Sequence, residues 1–175
     1  MQKIISLFKR NYEGTRLIYD EIVPGAEWVQ TGEGVATVKW DGTCCMVNDG
    51  VLYKRYDAKQ GKQPPADWIE AQSPDPVTGH WPGWIPVRSD DPASRWHCEA
   101  IAPDGPFNCG LLNGTYELVG PKVQGNPYKL TTHQFYRHGI DIIAGNAPRD
   151  FEGLKDYFSY TPIEGIVWHH PDGRM

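Results

Sequence analysis

An α+β fold built mainly from antiparallel strands is what this sequence predicts, and three observations carry the prediction. Apolar and polar residues alternate over short runs such as Val35 to Trp40 and Gly50 to Tyr56, the period of half-buried strands. Phe151 to Phe158 is the clearest helical run. The 19 glycines and 15 prolines interrupt the chain too often for a helix bundle and favour short strands joined by loops.

Taken in order, Gly14 to Val23 fits either a short helix or a strand of mixed pattern. Val35 to Trp40 alternates as a strand, Asp41-Gly42 has the composition of a hairpin turn, and Cys44 to Val47 reads as the returning strand. Gly50 to Tyr56 is a further strand, ending at Arg55 and Asp57. From Gly61 to Pro106 the chain is rich in Pro, Asp, Trp and Ser and reads as a large loop or hairpin insertion, with a strand expected at Trp96 to Ile101. Asn113-Gly114 forms a turn into the strand Thr115 to Val119, and a Gly/Pro/Asn-rich loop follows from Gly120 to Pro127. Phe151 to Phe158 turns its aromatic residues to the core, and Gly165 to His169 is a short buried strand.

At 175 residues, with 39% hydrophobic and 22% charged content, residues 1–175 suit a single domain whose core needs neither disulfide nor metal. A formal charge of −5 argues against non-specific coating of nucleic acid, yet a local basic groove is compatible with it, so RNA stays admissible as a substrate. The apolar run within Met1 to Arg10 is too short for a signal peptide and no stretch is long enough to span a bilayer, so a cytoplasmic protein without a membrane partner is expected. Cys44 and Cys45 are adjacent on a strand and point to opposite faces, which disfavours a bond between them, and reduced thiols are expected throughout.

The chemistry concentrates in Lys39-Trp40-Asp41-Gly42 and in two later carboxylates, Glu117 and Glu164. A lysine at a strand end points into the cleft that the sheet lines. To attack phosphorus it must be partly neutral, which means lowering a reference pKa of about 10.4 by desolvation or neighbouring cations. Glu117 and Glu164 suit a ribose hydroxyl or a hard divalent cation, and the rigid guanidinium fork of Arg55 suits a ribose or a phosphate. The plainer alternative pairs Lys39 with Asp41 and Arg55 with Asp57 as solvated charges.

Other residues have weaker claims. Cys44, Cys45, Cys98, Cys109, His80 and His97 lack the spacing of a structural zinc site, and buried thiols with surface histidines are expected instead. Trp81 and Trp84 either stack RNA bases or pack onto the sheet. The loop Gly120 to Tyr128, with Lys122 and Gln124, either approaches phosphates or is only a turn, and His169-His170 is either a turn or a contact to substrate.

The segments Val38 to Cys45, Arg55-Tyr56-Asp57, Gly79 to Val87, Tyr116 to Gly120, Gly125 to Tyr128 and Glu164 to His169 together resemble the covalent nucleotidyltransferase superfamily. Within it they are most similar to the ATP-dependent 5′→3′ RNA ligases of the human type, over Val38 to Gly173. The resemblance implies a nucleotidyltransferase or ATP-grasp-like ligase domain with antiparallel sheets flanking a nucleotide cleft. It implies that Lys39 forms a lysyl-AMP and that Asp41 and Gly42 shape its pocket. Arg55 would contact the nucleotide, Glu117 the ribose, and Glu164 the metal and α-phosphate. ATP and Mg²⁺ or Mn²⁺ are the implied cofactors, and RNA with 5′-phosphate and 3′-hydroxyl ends the implied partner. Phe135, Tyr136 and Ile140 all lie where the family places its adenine-stacking residue.

Two positions depart from the wider pattern. Cys44 stands where many ligases have Arg or Asn, a change shared within the human-type group, and the final Lys-x-Lys motif expected after Asp172-Gly173 is not reached. The expectation is therefore a domain truncated before that motif, or a variant without it. A DNA ligase, a GTP-using capping-type enzyme and a non-catalytic module binding ATP or RNA ends are the alternatives.

Overall fold

The computed structural model describes residues 4–59, 61–101, 109–145 and 147–175. In chain order its elements are β1 (Phe8–Arg10), β2 (Ile18–Ile22), α1 (Glu27–Gln30), β3 (Val35–Lys39), β4 (Thr43–Asn48), β5 (Val51–Lys59), β6 (Ile69–Glu70), β7 (His80–Pro86), α2 (Arg95–Ala100), β8 (Gly114–Val119), β9 (Gln134–Arg137), α3 (Phe151–Tyr160) and β10 (Gly165–His169). The mixture of helices and antiparallel strands agrees with the predicted class. The chain divides into two compact units, one holding Trp40–His138 and the other Lys3–Lys39 with Gly139–Met175.

The Trp40–His138 unit is a six-stranded antiparallel sheet in the order β6-β7-β5-β4-β8-β9. Its central hairpin, β4 to β5, turns through Asp49 and Gly50, both at positive φ, the conformation that lets a two-residue turn follow the strand twist. Strand alternation then separates two faces. Cys45, Val47, Leu52, Tyr116 and Leu118 face a core with Val87, Cys109 and Val123, against which Trp96, Cys98 and Phe135 pack. Leu118 is fully buried, and truncating such a leucine to alanine costs about 2–5 kcal/mol. Cys44, Arg55, Trp84 and Glu117 occupy alternate positions and lie on the opposite face.

The segment after Gly61, expected as a large loop or hairpin insertion, takes the hairpin form: β7 pairs with β6 and, from Tyr53↔Pro86 to Lys59↔His80, with β5; residues 102–108 lie outside the described residues. One sequence expectation is corrected in this unit. Trp96 to Ile101 is not a strand: Trp96 to Ala100 falls in α2, with Ile101 as its extended C-cap, and a 3-10 turn at Pro92–Ser94 precedes the helix. Asp91 caps that turn, its carboxylate accepting from the Ala93 N–H, and Pro92 supplies a preset φ at the first position.

In the other unit β3 pairs with β10 in an unbroken antiparallel register from Gly165↔Lys39 to His169↔Val35. The strand β3 does not form a hairpin with β4, which belongs to the six-stranded sheet; Asp41-Gly42 links two sheets rather than closing one ladder. The Gly14 to Val23 segment resolves to a strand, β2, paired with β1. Asp150 caps α3 by accepting from the Gly153 N–H at 2.8 Å, and Phe151 and Leu154 turn inward to Phe8, Trp28, Ala36 and Trp168. The Phe8 and Phe151 rings meet edge to face at 5.1 Å. Arg149 donates to the carbonyls of Val29, Glu33 and Gly34 and so satisfies the acceptors around the end of α1. Among the described residues no helix is long and apolar enough to cross a membrane.

Candidate active site

Lys39 is the last residue of β3, and the register sets it opposite Gly165, the first residue of β10. Glu164 therefore enters beside the lysine, and its carboxylate forms an ion pair with Lys39 Nζ. Gly165 has no side chain, and the Lys39 stem lies across it; a Cβ at that position would meet the lysine Cδ at 3.5 Å. Both charged groups stay open to solvent, at 43% for Lys39 and 36% for Glu164. They help to line a cavity of about 970 Å³ walled by Phe8, Trp28, Leu154 and Ile166, the upper end of the size range of small-molecule sites. Behind the lysine, buried Thr37 donates to the Val167 carbonyl at 3.2 Å and meets His169 Nε2 at 3.0 Å, which fixes the ladder next to the ion pair.

Asp41 and Gly42 belong to the six-stranded unit, where the loop after β8 holds them. The Asp41 N–H donates to the Tyr128 hydroxyl at 2.6 Å, and Gln124 Nε2 donates to the Gly42 carbonyl at 3.2 Å. Gly42 is required sterically: a Cβ there would run into the Leu118 carbonyl oxygen and approach Val119 Cγ1 at 2.9 Å. Trp40 stacks on Tyr136 with centroids 4.0 Å apart and meets Tyr128 edge to face at 4.9 Å. Of the three stacking candidates, Tyr136 thus has its ring engaged by Trp40, Phe135 packs on the core, and Ile140 is exposed.

Arg55 and Glu117 flank Cys44 on the sheet face opposite the core cluster. Glu117 is the cross-strand partner of Cys44, and its carboxylate, together with burial as the larger effect, drives the Cys44 thiol up to about 12, with the Arg55 charge opposing the rise. Arg55 lies over the Trp84 ring at 5.1 Å, a cation–π contact rather than the Asp57 pairing of the plainer reading; Asp57 meets His80 Nδ1 at 3.1 Å. His138, which sequence reasoning missed, follows β9 directly. Its Nε2 donates to Glu117 at 3.0 Å, and its Nδ1 meets the Thr115 hydroxyl at 3.0 Å.

The weaker candidates separate on the same grounds. Trp84 is buried and Trp81 donates its indole N–H to Glu70 at 2.7 Å while packing against Trp68, so both serve the sheet. His170 bonds Glu33 and Asp172 within a turn. All four cysteines are unpaired. His97 is not a surface histidine: it is buried, neither ring nitrogen has a partner, and burial followed by the Lys54 charge lowers its pKa to about 4.

Comparison with known proteins agrees with the resemblance to RNA ligases. The family described as RNA ligase 1 matches residues 105–175. RNA ligase 1 of Rattus norvegicus is 30% identical over an alignment of 209 positions covering 81% of this chain and 64% of that protein. The Pongo abelii protein of the same name is 27% identical over the same shares, and that of Danio rerio 26% identical over 80% of this chain and 64% of its own length. The chain thus spans less than two thirds of the relatives it matches.

Proposed function

The chain is related to an RNA ligase family, and from that premise we propose that it carries the adenylyl-transfer site of an ATP-dependent RNA ligase. Lys39 Nζ attacks the α-phosphorus of ATP and pyrophosphate leaves; the AMP then moves to an RNA 5′-phosphate, and a 3′-hydroxyl displaces AMP to seal the strand. Forming the phosphoramidate divides one difficult displacement into easier ones. The observation that carries this reading is the Lys39–Glu164 ion pair, which joins the Val38 to Cys45 and Glu164 to His169 segments of the resemblance.

The free chain keeps Lys39 solvated and ion-paired. Reaction requires the pair to open and water to leave as the nucleotide enters, which accords with placing both residues on a cavity of ligand size. Glu164 offers a single accessible carboxylate, which fits a hard cation such as Mg²⁺ or Mn²⁺ held chiefly by phosphate oxygens. Such a cation supplies charge neutralisation at the phosphates. In this reading Asp41 and Gly42 hold the turn after the nucleophile, Glu117 accepts a ribose hydroxyl and Arg55 contacts the nucleotide, while Tyr128 and Gln124 act as positioning residues for the turn.

Intact-protein mass after incubation with ATP and Mg²⁺ or Mn²⁺ tests the proposal. A gain of one AMP in the parent and none in a folded Lys39→Ala variant is expected, followed by sealing of a 5′-phosphorylated RNA. Adenylation that persists in Lys39→Ala would overturn the assignment.

A further inference from the structure

We propose that Cys44 Sγ, the Glu117 carboxylate and His138 Nε2 form a binding site for zinc or a similar borderline-soft divalent cation. These three ligand atoms lie within 4.8 Å of one another on partly buried side chains, a span that metal–ligand bonds of about 2.0–2.3 Å can close with small side-chain rotations. Their convergence is built by the sheet. Cys44 and Glu117 are cross-strand partners on β4 and β8, so their side chains emerge side by side, and His138 reaches the same point from the end of β9.

The surrounding contacts are those of a metal-binding histidine. Thr115, two residues before Glu117 and on the same face, holds His138 Nδ1 at 3.0 Å and aims Nε2 into the cluster; an outer partner of this kind fixes ring orientation in metal sites. Without metal, the Glu117 carboxylate can only accept, so Nε2 carries the shared proton and Nδ1 of the neutral ring accepts from the Thr115 hydroxyl. On binding, Cys44 releases its thiol proton to solvent and becomes a thiolate ligand. The imidazole proton shifts to Nδ1 and is donated to Thr115 Oγ1, leaving the Nε2 lone pair for the metal. One proton is released per ion bound.

The donor set defines the ion. A thiolate with an imidazole selects zinc or cobalt over Mg²⁺ and Mn²⁺, which prefer oxygen. Three protein ligands leave a fourth tetrahedral position for water or an incoming group. The site stands on geometry within one sheet, but it shares Glu117 with the ribose contact of the proposed reaction, so the metal is tested in the nucleotide-free chain.

Titration of the reduced, folded chain with Co²⁺ provides the test, read as the thiolate-to-cobalt charge-transfer band and as its displacement by stoichiometric Zn²⁺. The band is expected in the parent and in Cys98→Ser, the control for the partly exposed thiol on α2. It should be lost in Cys44→Ser and in His138→Gln, and excess Mg²⁺ should leave it unchanged. Thr115→Val is expected to weaken binding about 10- to 100-fold while the band shape persists, as removal of an outer partner does. Absence of a band in the folded parent would overturn the site, as would a band that survives Cys44→Ser and disappears in Cys98→Ser.

Discussion

Lys39 and Glu164 meet across the first register position of an antiparallel ladder, joined as an ion pair at the point where β3 ends and β10 begins. Residues far apart in sequence are thereby held by backbone hydrogen bonds, which position side chains more narrowly than a loop does.

Replacing Glu164 by Gln should separate chemistry from stability. An ion pair this open to solvent contributes about 0–1 kcal/mol to folding, so the thermal midpoint should change by only a few degrees. The rate of AMP transfer to Lys39 should fall at least tenfold, about 1.4 kcal/mol or more in the barrier. Single-turnover adenylation beside a melting curve measures both, and an unchanged adenylation rate would remove Glu164 from the proposed site.

Gly42→Ala should destabilise the chain by about 1–3 kcal/mol, the range for forcing an extra methyl into a packed site. The Leu118 carbonyl and the Val119 side chain occupy the space that the methyl needs. Urea denaturation reads the loss, whereas Gly61→Ala, at a position where a Cβ would meet nothing within 4 Å, provides a comparison in which only the strain of positive φ operates.

Buried His97 predicts an acid-sensitive window. The unfolded chain takes up a proton near the ordinary histidine value of 6.5, while the folded chain resists protonation until about 4. Stability should therefore fall as pH drops from about 6.5 to about 4, by an amount on the order of 3 kcal/mol from this residue. His97→Leu removes both unpartnered ring nitrogens and should flatten that limb, as measured by denaturation at a series of pH values.

A second acid limb belongs to Asp91. Its hydrogen bond to Lys54, followed by the Ala93 N–H, holds the carboxyl down to about 2. That stabilisation is present above the unfolded value near 4 and is lost as pH falls towards 2. Asp91→Asn should cost about 1–2 kcal/mol at neutral pH, because the buried Lys54 ammonium loses its anionic partner and keeps, among the described residues, only neutral acceptors in the amide oxygen and the Ser94 hydroxyl.

How far the sequence reveals this protein depends on whether the information is local. The strands at Val51–Lys59 and Gly114–Val119 and the helix at Phe151–Tyr160 carry their own periodicity, and the Asp150 cap marks where the last begins. The Asp41-Gly42 hairpin failed because the dipeptide specifies a turn but not which strand comes next to β3, and β10 supplied it from the far end of the chain. The helix at Arg95–Ala100 was obscured by aromatic and cysteine residues of strand character, although Asp91-Pro92 is a helix-start signal that was available. Lys39, Glu117 and Glu164 stand out in the sequence as candidates because motifs frame them. Tyr128 and Gln124 lie in a segment and a loop that the sequence singles out, but their hold on Asp41 and Gly42 is visible only in their contacts; His138 stands outside every such segment, and only its contacts identify it.

The β3–β10 ladder also bears on how the protein is made. Synthesis delivers Lys39 well before the strand that pairs with it and the carboxylate beside it. Until β10 emerges the lysine exists without its partner, so a nascent chain lacks the ion pair until that strand docks. A polypeptide released before residue 164 would carry the lysine motif without the pairing that the proposed chemistry uses.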